Sequence, residues 1–117
     1  MGNQRGSFNP NQGNHDPRMA RLLEPGEVVT SCGFGALLVP MMRPIKGKVY
    51  VTTTRIAVVL DEGRTWNAMW TDITNIRTKK GLLGSTAHIE TSGGEQWAVD
   101  STKSMVGDIE RAWPHSR

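Results

Sequence analysis

The residues able to do covalent or acid–base chemistry are few in this chain and poorly placed for it. Cys32 is the single cysteine, so it forms no internal disulfide and no cysteine zinc site, and no base stands near it in sequence. It lies in the β-branched run "EVVTSCGF" and reads as a buried structural thiol. His15, His88 and His115 are far apart and show no metal-ligand spacing. Asp61-Glu62, Asp72 and the Asp108/Glu110 pair read as turn and helix-surface charges. The phosphate-binding loops are near misses. "GFGALL" starts as a dinucleotide loop does, but Leu38 follows where a third glycine belongs, and no βαβ pattern surrounds it. "KKGLLGST" has no Lys after Gly84. Its Gly81-Leu82-Leu83-Gly84 has the spacing of a loop that clamps RNA backbone, without the helices such a loop needs. It reads as a hairpin joining two strands. No enzyme, metal or cofactor is expected.

What remains is adhesive chemistry. In "FGALLVPMMRPIKGK", the uncharged run Ala36 to Met42 leads into Arg43, Lys46 and Lys48, broken by Pro40 and Pro44. An apolar tip with a cationic shoulder suits a membrane surface or a protein groove. Net charge is +3, but residues 35–80 hold eight Lys or Arg against Asp61, Glu62 and Asp72. Such a basic middle favours anionic partners: lipid headgroups, nucleic acid or an acidic protein face. Nucleic acid would call for aromatics exposed beside the cations. The tryptophans instead alternate as core residues do, which makes nucleic acid the least favoured of the three.

The rest of the chain must position these residues. At 117 residues it is expected to form one domain. The longest apolar run is far short of the ~20 residues a spanning helix needs. With no positive-then-apolar N-terminus, a cytoplasmic protein is expected. "MGNQRGS" approaches a myristoylation signal, but Gly6 stands where Ser or Thr belongs. Residues 1–17, dominated by Asn, Gln, Gly and Pro, read as a disordered polar tail, because they offer little apolar area to offset ordering entropy. Residues 18–114 form the domain, and 115–117 a short C-terminal tail.

Within the domain, Met19, Leu22 and Leu23 are spaced for one helical turn, ended by Pro25-Gly26. Period-two runs follow. Val49 and Val51 alternate with Tyr50 and Thr52, and Ile56, Val58 and Leu60 share a face. Trp66, Ala68 and Trp70 align, and Ala87 and Ile89 oppose Trp97 and Val99 across Gly93-Gly94. Seven antiparallel strands are expected. The period then changes: Met105, Val106, Ile109, Ala112 and Trp113 mark one face of an amphipathic helix, with Ser101 or Thr102 as N-cap and Pro114 as stop. Its natural target is the open end of the curved sheet, with Trp113 as a plug.

Seven strands and a closing helix are the pleckstrin-homology-like (PH-like) architecture, and the motifs sharpen that. "LLEPGEVV", followed by "GKVYVTTTRIAVV", resembles the opening of GRAM and bacterial PH-like domains: Gly47, Val49-Tyr50-Val51-Thr52, two turn residues and Arg55. "ITNI" resembles the family's isoleucine-spaced strand. The likeness runs from Leu22 to Trp113. Thr53-Thr54 depart from it, since Asn tolerates positive φ better at a tight hairpin.

The resemblance implies a mainly β domain with one C-terminal helix, a partly open seven-stranded sandwich. It also implies a noncatalytic binding module whose first loop contacts ligands. Leu37, Leu38, Met41, Met42, Arg43, Lys46 and Lys48 are then the expected contacts. Arg55, Arg77, Lys79 and Lys80 add charge at the same rim. A protein partner is expected ahead of an anionic membrane surface, with Ala36, Leu38 and Met41 alternatively filling the barrel end. A lone module with nine Arg to five Lys suggests a small bacterial or bacteriophage accessory protein acting on a host or partner protein.

Overall fold

The computed structural model describes residues 16–113. Helix α1 (Pro17–Leu22) comes first. It is followed by strands β1 (Val29–Leu38), β2 (Ile45–Thr52), β3 (Arg55–Leu60) and β4 (Thr65–Met69). A 3-10 turn, Trp70–Asp72, leads into β5 (Ile73–Lys80), β6 (Ser85–Thr91) and β7 (Gln96–Ser101), and helix α2 (Lys103–Ala112) closes the domain. The seven strands form one sheet in the order β4-β3-β2-β1-β7-β6-β5, and every pair is antiparallel. The strand count, the Gly93-Gly94 hairpin with its Ala87–Val99 and Ile89–Trp97 pairs, and the closing helix all match the sequence pattern. The segment 1–15, Pro114 and residues 115–117 lie outside the described residues, so the tail, His15 and His115 do too. Pro17, counted with the tail on composition, is the first residue of α1, with the Asp16 carboxylate accepting from Arg18 N–H at 2.8 Å as its cap.

β1 is the strand on which the sheet turns. It pairs with β2 from Val29 to Leu37 and with β7 from Gly35 to Leu38. Gly35 faces Gly47 across the β1–β2 ladder. A Cβ on Gly35 would sit 2.4 Å from the Asp100 carbonyl oxygen, and one on Gly47 2.5 Å from that of Val59. No side chain fits where backbones approach so closely, and this lets the sheet curl onto itself.

The curl gives the sheet two unlike faces. The inner face carries Val49, Val51, Ile56, Val58, Leu60, Ile89 and Val99, and α2 covers it with Met105, Val106 and Ile109. Thr102 caps that helix, its hydroxyl accepting from Met105 N–H at 3.1 Å. Ser31 donates to Asp108 at 2.7 Å, and the Trp113 indole donates to the Ile73 carbonyl at 3.2 Å, so Trp113 does plug the open end. Each fully buried aliphatic side chain here contributes roughly 1.5–3 kcal/mol. That offsets the ~1 kcal/mol that Gly107 costs mid-helix. On the outer face α1 lays Met19, with Leu22 and Leu23 beside it, over Val29, Tyr50, Ala57 and Val59. Then the cover ends.

Candidate ligand-binding groove

Beyond α1 no element among the described residues covers the outer face. The register fixes one row of neighbours across it: Lys46 beside Ala36, Ala36 beside Asp100, Asp100 beside Thr86, and Thr86 beside Lys79. A second row runs Leu38, Ala98, His88, Arg77. The first row, with Leu38 and His88 of the second, lines a groove of about 800 Å³, together with Phe34, Asp61, Leu83 and Lys80. A smaller recess of about 290 Å³ continues past Leu38 and His88 to Pro40, Arg77 and Trp97.

The groove is apolar where apolar side chains are usually hidden. Phe34 is 83% exposed and Leu83 fully so. Around them Lys46, Lys79 and Lys80 make no ion pair among the described residues. The Asp100 carboxylate accepts a hydrogen bond from the Thr86 hydroxyl. Ser85 also borders the groove, but its buried hydroxyl lies on the core side with Ala87 and Ile89 and takes no part.

The structure therefore gathers Leu38, Lys46, Lys79 and Lys80 into one groove, with Arg77 in its extension and Lys48 beside Phe34 on the neighbouring strand. Met41, Met42 and Arg43 stand apart on the β1–β2 loop. Met41 is fully exposed, with φ at 68°, and does not fill the barrel end; Met42 is 57% exposed. The hairpin base lies beside Gly35 through Ser101, which pairs with both Gly35 and Ser85. The methionine loop follows Leu38, ~10 Å further along the strand at ~3.3 Å per residue.

Three expectations fail. β1 does not stop with the "EVVTSCGF" run but continues to Leu38, which turns Leu37 inward; at 3% exposure it is a core residue and not the expected loop contact. Cys32 is exposed rather than buried, because that half of β1 alternates toward solvent at its position. Arg55 is not at the rim. It is buried, its guanidinium donating to Glu27 at 3.0 and 3.2 Å, while the Thr52 hydroxyl donates to the same carboxylate at 2.6 Å. Burial pushes the Glu27 carboxyl up, but the hydrogen bonds from Thr52, the Glu24 backbone and Arg55 outweigh it and hold it below the usual range. The Thr52 oxygen also accepts from Thr54 N–H at 3.0 Å and Arg55 N–H at 2.9 Å, closing the hairpin without positive φ at Thr53 or Thr54. Glutamate, threonine and arginine, read from sequence as separate motif positions, are one buried knot.

Phe34, Leu82 and Leu83 were missed. The only sequence signal was their position: Leu82-Leu83 at a glycine-bounded hairpin tip, and Phe34 out of phase with Leu37. Among the described residues no group of His, Cys, Asp and Glu side chains lies close enough to hold a metal ion. No helix there is long and apolar enough to cross a membrane.

No family model matches the chain, and no curated protein matches it by sequence. Solved structures do match it in shape. The C-terminal domain of an unknown protein from Leishmania infantum superposes with a TM-score of 0.63 at 11% identity, over 76% of this chain and 86% of that one. The Vps36 N-terminal PH domain superposes with a TM-score of 0.62 at 18% identity, over 78% and 82%. The fold is PH-like. At these identities the likeness speaks for the PH-like fold alone.

Proposed function

We propose that this PH-like domain is a noncatalytic binding module that recognises a protein partner, in the manner of a GRAM-type or bacterial PH-like adaptor. The observation that carries the reading is the exposure of large apolar side chains, Phe34, Met41, Met42, Leu82 and Leu83, on a sheet whose Lys46, Lys79 and Lys80 make no ion pair among the described residues. Large apolar groups left in water beside a formed groove mark an interaction site. Flexible thioethers at Met41 and Met42 adapt to an irregular protein surface. A small bacterial or bacteriophage accessory protein working in the cytoplasm, docked on a host or partner protein, is the setting we favour.

Anionic lipid is the second reading, favoured by Leu82-Leu83 at the hairpin tip, one glycine after Lys79-Lys80. Each cation near an anionic surface contributes at most about 1 kcal/mol. Each partly inserted leucine adds roughly 1–2 kcal/mol, less than full burial. The sum is a weak, salt-sensitive attachment. Nucleic acid is disfavoured because Trp66, Trp70 and Trp97 pack on the core instead of offering stacking faces.

The test sets affinity capture from native lysate beside sedimentation with anionic liposomes, using wild type, Met41→Ser/Met42→Ser, and Arg43→Gln/Lys46→Gln/Lys48→Gln. The expected result is a captured protein whose complex dissociates faster in the methionine variant. The charge variant should associate more slowly, with a deficit that shrinks in high salt. A salt-sensitive liposome signal with no captured protein would reverse the ranking in favour of lipid.

A further inference from the structure

Building on the protein-partner reading, we propose that the outer-face groove takes an amphipathic helix of the partner, one whose apolar stripe is flanked on both sides by acidic residues. Three observations point to that occupant. Of the strands under the groove, β2, β1, β7 and β6 have a hydrogen-bonded neighbour on each side, and β5 is the edge strand. An extended peptide lying on the groove floor, inside that edge, would find no free ladder, and its own N–H and C=O groups would go unsatisfied, whereas a helix satisfies them internally. The molecule already covers the adjoining part of the same face with a helix, α1, which is how a sheet face is ordinarily closed.

Charge and dimensions complete the match. Apolar Phe34, Ala36 and Leu38 run along β1 at alternate positions, ~13 Å end to end at ~3.3 Å per residue. Apolar positions i, i+4 and i+7 of a helix span ~10.5 Å at ~1.5 Å per residue. Cations stand on both long sides, Lys46 on β2 with Lys48 two residues on, and Arg77 and Lys79 on β5, with Lys80 at the strand end bordering the groove. Four strand steps separate β2 from β5, ~19 Å along the surface at ~4.8 Å per step and less across the curl. A helix of ~10–12 Å diameter fits between, with its acids reaching either row. Asp100, in the middle of the row, keeps the occupant's acids off its centre line. Asp61 stands at the β2 end, so the β5 row is the stronger acid acceptor.

A displayed library of random 16-residue peptides, selected on the full chain with Phe34→Asp as counter-target, tests this. Enriched peptides should carry apolar residues at i, i+4 and i+7 with Asp or Glu on both flanks. A synthetic copy should bind at least tenfold more weakly to Phe34→Asp and to Lys79→Glu/Lys80→Glu, and lose binding when Pro is placed at its centre. A version with basic flanks should recover affinity on the Lys79→Glu/Lys80→Glu variant. An empty selection, a strand-like alternating consensus, or peptides indifferent to both variants would overturn the proposal. If Phe34→Asp still captured the lysate partner in any of those cases, the helix site would fall and the binding module would stand. If nothing were captured by any variant or by wild type, both would fall.

Discussion

The two faces of the same sheet are finished to different standards. Inside, α2 seals the curl, and its Ile109 is fully buried. Outside, α1 is a helix of 6 residues that covers Tyr50, Ala57 and Val59 and stops short of Phe34. The same contrast divides the cations. Arg55 is enclosed with Glu27, while Lys46, Lys79 and Lys80 stand in solvent. A cation that the fold has already neutralised is structural; one left unpaired beside bare apolar surface is available to a partner.

Deleting residues 101–117 should have the largest effect. With α2 gone the inner face opens to water, so cooperative unfolding should disappear or the protein aggregate. A sharp urea transition in the truncated chain would show α2 to be peripheral and the two faces alike. Next is Arg55→Met, expected to cost about 3–5 kcal/mol because Glu27 is left charged and unpartnered in the interior. Equilibrium urea unfolding measures it, and a loss below about 1 kcal/mol would return Arg55 to the surface class.

Acid should act through the same knot and through the Asp16 cap of α1. Hydrogen bonds from Arg18 hold the Asp16 carboxyl at about 2, against 3.8 ordinarily, and Glu27 is lowered as well. Groups with depressed folded-state pKa contribute their stability above their unfolded values and lose it as pH falls through the folded ones. Stability should therefore decline from below about pH 4–5, with Arg55→Met showing a smaller decline because Glu27 has lost a partner that lowers its pKa. An acid limb unchanged by that substitution would separate Glu27 from the effect. The smallest effect should come from Phe34→Ser and from Met41→Ser/Met42→Ser, each under about 0.5 kcal/mol because the side chains face water. Thermal unfolding of these variants showing a loss of ~2 kcal/mol or more would mean that the outer face is core after all.

Met42 and Arg43 were legible in the sequence as exposed loop residues, because Pro44 beside them and Pro40 before them cannot donate to a ladder. Met41 stayed open between loop and barrel end. Leu37 and Arg55 were not legible, for one reason. Alternation tells which residues share a face, but not where a strand ends or what lies on its far side. A strand running three residues past Gly35 sends Leu37 inward, and a glutamate 28 positions from Arg55 removes it from the surface.

Local periodicity by itself determined the seven strands, the capping helix with Ser101 or Thr102 before it, and the hairpin at Gly93-Gly94, because each depends on neighbours two to four residues away. Tertiary structure decided everything that depends on two distant segments meeting. It paired Gly35 with Gly47, curled the sheet, set Lys46 and Lys79 at opposite ends of one row, and left Phe34 uncovered between them. Among the described residues α1 covers Tyr50, Ala57 and Val59 and not Phe34, and no stretch of sequence near Phe34 records where α1 packs.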